Sequence, residues 1–456
     1  MLLRNILLSA IIAAKAVLAD DMIQCNATST CPEDKPCCSQ YGYCGTGKNC
    51  LGGCHPSHSF KREVCAPMPI CTNFTTDFTD SDKQLKNVED YLGDPDDTDW
   101  VYTGYVADYD DAVLLAMPEN SGGTVLSSTR FVWYGNIKAR LKTSRDRGVV
   151  SAFITFSNIQ DEIDFEFVGY ELEEAETNYY YQAILNYKNG ENSTLSNTFE
   201  NYHDYEIDWT PEQITWSIDG KEVRTLKKED TYNETSKTYY YPQTPSRVQV
   251  SLWPAGQNTN GVGTIEWAGG LVNWDSEDVK EHGYYYMVLQ SMEITCYDPP
   301  SGTLVDGDVS YVYNDSKKFD QEYVMITNNG TIIDSQDDTG EDAKKSQSSS
   351  SSSSSSSKSD SSSSSKSSSS GKSSKTSSGE ATKTSGSNDS TSTSGSDSNG
   401  DSNDSGASSS APGGFIQYSQ TSSTKGSEAT QSGNSGNSLQ QTSLVSLLFG
   451  SLMLFI

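Results

Sequence analysis

The stretch Asp161-Glu162-Ile163-Asp164-Phe165-Glu166-Phe167 carries the groups best suited to chemistry. Its strict alternation puts Glu162, Asp164 and Glu166 on one face of a strand and Ile163, Phe165 and Phe167 on the other. The apolar face fits a β-sandwich core. Three carboxylates in a row repel one another, and no Lys or Arg interrupts them. Paired carboxyl groups of this kind suit glycosidic bond cleavage, with one acting as nucleophile and another as acid. Positions i and i+4 of a straight strand lie about 13 Å apart, and a retaining pair needs about 5 to 5.5 Å. The strand is therefore expected to curve around the sugar, with Asp164 between the two glutamates. There it can orient the nucleophile and raise a neighbour's pKa.

Elements rich in Val, Ile, Tyr, Phe and Thr must hold this row. Residues 131–141, 148–156, 179–185, 205–209, 213–218, 247–253 and 284–295 read as strands. Ser217-Ile218-Asp219-Gly220-Lys221-Glu222-Val223 reads as a hairpin turning at Asp-Gly. No helical period competes, so the expected fold is an all-β sandwich. Trp133, Tyr134, Tyr179, Tyr180, Tyr181, Trp209, Trp216, Trp253 and Trp267 exceed what a core needs, and sugar C–H faces stack on such rings. Alternation sets Tyr179 and Tyr181 on one face and Tyr180 on the other. Trp253, Trp267, Tyr179 and Tyr181 are the expected substrate platforms, and Asn178, Gln182 and His203 are candidate partners for sugar hydroxyls.

Glu-Ile-Asp-Phe-Glu resembles the signature of glycoside hydrolase family 16, retaining enzymes with a β-jelly-roll fold. The resemblance implies Glu162 as nucleophile, Asp164 as assistant and Glu166 as general acid/base. Pro242-Gln243-Thr244-Pro245-Ser246 and Gly263-Thr264-Ile265-Glu266-Trp267-Ala268-Gly269-Gly270 are similar to the fungal Crh branch, wall enzymes that join chitin to β-glucan. The likeness spans 65–300. It implies no cofactor and no metal, and chitin and β-glucan as partners. A lectin without turnover and a plain hydrolase of chitin or β-glucan are the alternatives; the intact acidic row weighs against the lectin.

The rest of the chain agrees. It has 456 residues and net charge −30, which excludes nucleic acid as a partner because phosphate attraction needs a basic surface. Residues 1–19 combine Arg4, an apolar run and Ala19, a secretory signal. Nine of ten cysteines lie between Cys25 and Cys71. In an exported chain that spacing argues for disulfides rather than zinc, since too little apolar sequence is present for a core. Cys37-Cys38-Ser39-Gln40-Tyr41-Gly42-Tyr43-Cys44-Gly45 resembles the hevein-type chitin-binding module, which implies Ser39, Tyr41 and Tyr43 as its sugar contacts. It also implies the pairs Cys25–Cys38, Cys31–Cys44 and Cys37–Cys50. Asn49 stands where that module usually has an aromatic residue. Cys54, Cys65, Cys71 and Cys296 allow three pairings, and the sequence does not choose among them.

Sequons occur at Asn26, Asn73, Asn192, Asn233, Asn314, Asn329, Asn388 and Asn403, and Lys61-Arg62 reads as two surface charges. Residues 301–345 are expected as an irregular extension, and 346–434 as a Ser/Thr-rich glycosylated stalk. Leu444 to Ile456 is too short to span a bilayer. With Gly433, Asn434, Ser435 and Gly436 before it, it fits a GPI-attachment signal with Asn434 or Gly433 as the anchored residue, so that 435–456 is a propeptide. The domains expected are thus 1–19, 20–64, 65–300, 301–345, 346–434 and 435–456, in a monomer secreted to the outer face of the plasma membrane and the wall.

Overall fold

The computed structural model describes residues 22–79, 84–186 and 188–345. The signal segment, the serine stalk, Gly433, Asn434 and the C-terminal apolar run lie outside the described residues. Two eight-stranded sheets face each other. One runs in the order Glu191–Thr194, Glu174–Tyr180, Glu162–Val168, Val149–Ser157, Ser246–Pro254, Thr124–Val132, Trp100–Thr103, Leu85–Asn87. Its neighbours are antiparallel except for the last pair. The second sheet is built around Tyr284–Cys296, which pairs with Gly135–Lys142, Ala112–Pro118 and Phe74–Asp77. The fold is the all-β jelly-roll sandwich expected.

Alternation builds the core between the sheets. Ile163, Phe165 and Phe167 point inward with Phe153, Tyr205, Ile207 and Trp216, all nearly inaccessible to solvent. The Phe165 ring lies 6.2 Å from Phe153, 6.3 Å from Phe167 and 5.4 Å from Tyr205. The opposite face of the first sheet is buried too, by a smaller cluster of Val125, Val150, Ala152, Ile154, Phe156, Val168, Trp253, Ala255, Trp267 and Ala268. Strands covered on both faces are buried along their whole length, as 149–157 and 246–254 are; the first reads as a nearly apolar run, whereas Arg247, Gln249 and two serines interrupt the second.

Several expected boundaries move. The run 131–141 is two strands, broken at Tyr134, whose φ of 67° turns the chain. The run 179–185 ends at Tyr180 because Gln182 and Ala183 take left-handed conformations. The hairpin holds, with Asp219 and Gly220 at φ of 52° and 74°, the sense that matches strand twist. Among the described residues two short α-helices occur, Val262–Trp267 and Glu277–His282, the second capped by Ser276. Each is one to two turns, too brief to leave a visible period.

The structure pairs Cys25 with Cys38, Cys31 with Cys44 and Cys37 with Cys50. It also selects Cys54–Cys65 and Cys71–Cys296 among the open alternatives. Residues 301–345 are not irregular. Leu304–Asp306, Ser310–Tyr313 and Val324–Thr327 form a small sheet with Met68–Pro69, burying Tyr311, Tyr313, Val324 and Ile326.

That extension then runs back to the cysteine-rich module. Gln336 accepts from Lys48 N at 2.7 Å and donates to the main-chain oxygens of Glu89 and Tyr91. Gly47 N donates to Asp338 O at 2.8 Å. Leu51 of the module packs with Ala66, Tyr91, Val101 and Ile333. Module, sandwich and extension therefore share a core.

Candidate active site

Register decides which side chains meet the carboxylate row, because cross-strand partners share a face. Glu162 stands opposite Tyr180, Asp164 opposite Asn178 and Glu166 opposite Glu176. On the other side the same face continues through Phe156, Ile154 and Ala152. Beyond these come Arg247, Gln249 and Ser251, and then Ser127 and Val125. The two tryptophans close the Glu166 end. Their ring centroids are 6.3 Å apart, and Trp267 Nε1 donates to Glu176 at 2.9 and 3.0 Å.

The site is dry. Glu162 is 8% exposed, Asp164 0% and Glu166 3%. Among the described residues, both Asp164 carboxyl oxygens and Glu166 Oε1 lack a hydrogen-bond partner outside the carboxylate row. Burial pushes all three upward. Glu162 lies well above the usual carboxylate range through burial first, then the charges of Asp164 and Glu166. Asp164 reaches about 8 by burial, against the pull of Glu162 and the Arg224 guanidinium. Glu166 is held high by burial and by Asp164 and Glu176. Glu176 rises to about 7 through burial, opposed by the Trp267 hydrogen bond. Like charges this close cannot all ionise, so the row retains protons near neutral pH and titrates as a unit. Such a row holds both a proton donor and a carboxylate, the two groups needed to break a glycosidic bond.

Neighbouring elements fix the strand. Trp216 Nε1 donates to Asp164 O at 3.0 Å from behind. Asp161, fully buried just before the row, accepts from Gln182 N, Gln243 N, Thr244 N and Thr244 Oγ1. The Pro242–Ser246 segment is thereby tied to the start of the carboxylate strand. Burial raises Asp161 to about 6, and these four donors oppose the rise.

The remaining sequence candidates divide. Trp253 and Trp267 belong to the carboxylate face, at 1% and 8% exposure. Tyr179 does not: it pairs with Ile163, points to the core and lies under the Arg224 guanidinium, 5.7 Å from its ring centroid. Tyr180 takes the place expected for Tyr179, because the pairing partner of Glu162 sets the phase. Tyr181 lies past the strand end, donating to Asp320 Oδ1 and stacking on Tyr240 at 5.3 Å. Gln182 also binds Asp320, and His203 binds Asp219 in the other sheet. Asn178 is on the carboxylate face, donating to Tyr180 Oη at 2.7 Å. Trp133, Trp209 and Trp216, counted in the aromatic set but not among the four platforms, are core residues that donate their indole N–H to main-chain carbonyls. Glu176 went unrecognised, hidden in the acidic run from Glu171 to Glu176. Ser39, Tyr41 and Tyr43 line a cavity of about 290 Å³ between the module and the first sheet.

Comparison with known proteins agrees with this geometry. The family described as Glycosyl hydrolases family 16 matches residues 94–269. Congo red hypersensitive protein 2 of Saccharomyces cerevisiae is 52% identical over 323 residues, covering 70% of this chain and 69% of that protein. Crh-like protein UTR2 of Candida albicans is 52% identical over 336 residues, covering 72% and 71%. A solved structure of the Crh5 transglycosylase without ligand has 27% identity and a TM-score of 0.47, covering 57% of this chain and 97% of that one. With the carboxylate row, its buried floor and these relatives in agreement, the chain belongs to the Crh-like branch of glycosyl hydrolase family 16 and is an enzyme of glycosidic bonds.

Proposed function

We propose that the chain is a retaining transglycosylase of the fungal cell wall that cleaves chitin and transfers the released segment to β-glucan. The observation that carries this reading is the row Glu162, Asp164 and Glu166, buried on one face with raised proton affinity beside two tryptophans. Glu162 attacks the anomeric carbon while Glu166 gives its proton to the leaving oxygen, forming a glycosyl-enzyme. Glu166, now a carboxylate, takes the proton from an incoming sugar hydroxyl, which displaces Glu162 and restores the anomeric configuration. Asp164 between them keeps Glu162 oriented by a hydrogen bond, and the crowding of three carboxyl groups keeps a proton available on the acid. Trp253 and Trp267 offer ring faces to the sugar chain, and Ser39, Tyr41 and Tyr43 bind chitin. The protein acts as a monomer and is held at the outer membrane face by a GPI anchor at Gly433 or Asn434 before passing into the wall.

The test is mass spectrometry of products from a chitin oligosaccharide donor with a labelled β-glucan acceptor. Hybrid products are expected from the wild type and none from Glu162→Gln or Glu166→Gln, each losing several orders of magnitude in kcat. Losses below about tenfold at both sites refute the assignment. Release of the protein from membranes by a phosphatidylinositol phospholipase tests the anchor.

A further inference from the structure

The cysteine-rich module does not hang free from the sandwich. Its Gln40 accepts from Gln249 Nε2 at 3.1 Å, and its Gly53 N donates to Asn158 Oδ1 at 2.9 Å. Gly52 lies so close to Arg247 that an added Cβ would stand 2.4 Å from the guanidinium. Gln249 is on the carboxylate face, two strands from Asp164 along the row Asp164, Ile154, Gln249. At about 4.8 Å per strand that is about 10 Å, the reach of about two linked pyranose rings.

The next row leads past this contact. From Glu166 it runs over Ala152 and Ser251 to Val125 and Thr103. Ser251 is 1% exposed, and its Oγ has no hydrogen-bond partner among the described residues. Val125 and Thr103 then form one wall of the 290 Å³ cavity, with Tyr41, Tyr43 and Ser39 of the module forming another. Two phenol rings facing hydroxyls and amides are what a neutral, hydroxyl-rich ligand with apolar C–H faces requires. Arg247, also lining the cavity, is drawn down to about 10 by burial, and the groups that sustain its charge are the Tyr91 and Tyr41 hydroxyls rather than a carboxylate. Asn49, which stands where that module usually has an aromatic residue, borders the same space, as do Val101 and Tyr102 of the sheet.

We propose that this cavity is a further sugar subsite of the catalytic face, so that one β-linked pyranose chain lies across both the carboxylate row and the module. The inference rests on the glycosidase reading above and assigns the module a part in turnover instead of separate targeting.

The test uses the full chain, with N-acetylglucosamine oligomers of increasing length as donors and one labelled β-glucan acceptor. In the wild type kcat/KM is expected to rise with donor length until the cavity is reached. Tyr41→Ala is expected to lower the ratio of kcat/KM for long donors to that for short ones about tenfold, the loss of one stacking contact. Thr103→Phe, which intrudes from the sheet side, lowers the same ratio, while Tyr41→Phe retains it. A wild-type ratio that stays flat with length, or a Tyr41→Ala variant slowed equally on all donors, overturns the proposal. A wild-type chain that turns over no donor of any length refutes instead the reading beneath it, and the proposal with it.

Discussion

Glu176 gives the sharpest test of the electrostatics. Its carboxyl stands across the strand pair from Glu166 and helps to hold that acid protonated. In Glu176→Gln the amide oxygen still accepts from Trp267 Nε1, so the packing is kept while the charge is removed. Two carboxylates about 6 Å apart at an effective dielectric of about 20 repel by about 3 kcal/mol, enough to raise a proton affinity by about 2 on the pH scale when both are charged. Glu176 itself titrates at about 7. It thus carries about half a charge there, and its effect on Glu166 falls to about 1 on that scale. The sign follows from the charge: removing a negative neighbour makes the Glu166 proton easier to lose. The alkaline limb of kcat/KM for donor cleavage, set by the general acid, is therefore expected to move to lower pH by about 1. The assay is a pH profile of both proteins on one oligosaccharide donor, with thermal unfolding as a check on the fold. An alkaline limb that stays in place or moves upward refutes the reasoning.

Two further expectations concern stability. Phe165→Ala, on the core side of the carboxylate strand, should destabilise the sandwich by about 3 to 5 kcal/mol in denaturant titration, while the activity of the remaining folded fraction persists; a loss below about 1 kcal/mol would contradict its central packing. Replacing Cys71 and Cys296 together by Ser opens a loop of sequence separation 225. The chain-entropy relation puts the cost near about 5 kcal/mol, so a calorimetric midpoint unchanged in the double variant would show that the paired ends stay closed without the bridge.

The parts of the site that follow from one residue's own alternation were legible in the sequence. Glu162, Asp164 and Glu166 share a face whatever pairs with them. Which tyrosine joins them depends on the register with Glu174–Tyr180, and three consecutive tyrosines satisfy either phase. The error at Tyr179 was one of phase, as a one-residue slip inverts every side chain of a strand. Whether Trp133, Trp209 and Trp216 serve the core or a cleft stays open in the sequence for a different reason. An indole looks like a sugar platform until its N–H is seen to serve a buried carbonyl, and that partner is remote in sequence. The four late cysteines stayed open because the choice depends on where residue 296 ends its strand. The strands within 301–345 escaped because each has only three or four residues, below the length at which alternation stands out from chance.

The way the extension ends has a mechanical side. Ile332 and Lys344 form an antiparallel bridge, with hydrogen bonds of 3.0 and 2.7 Å between their main-chain groups. Tension on the chain beyond residue 345 pulls this bridge open at its end, so that bonds yield one after another rather than in shear. The next bonds in line are Gly47 N to Asp338 O, then those of Gln336 to Lys48, Glu89 and Tyr91, and only then Ile333 N to Leu92 O. These same contacts seat the module against the sandwich. A load on the tail therefore reaches the grip on the module before it reaches the carboxylate strand, which lies inside its sheet with neighbours on both sides.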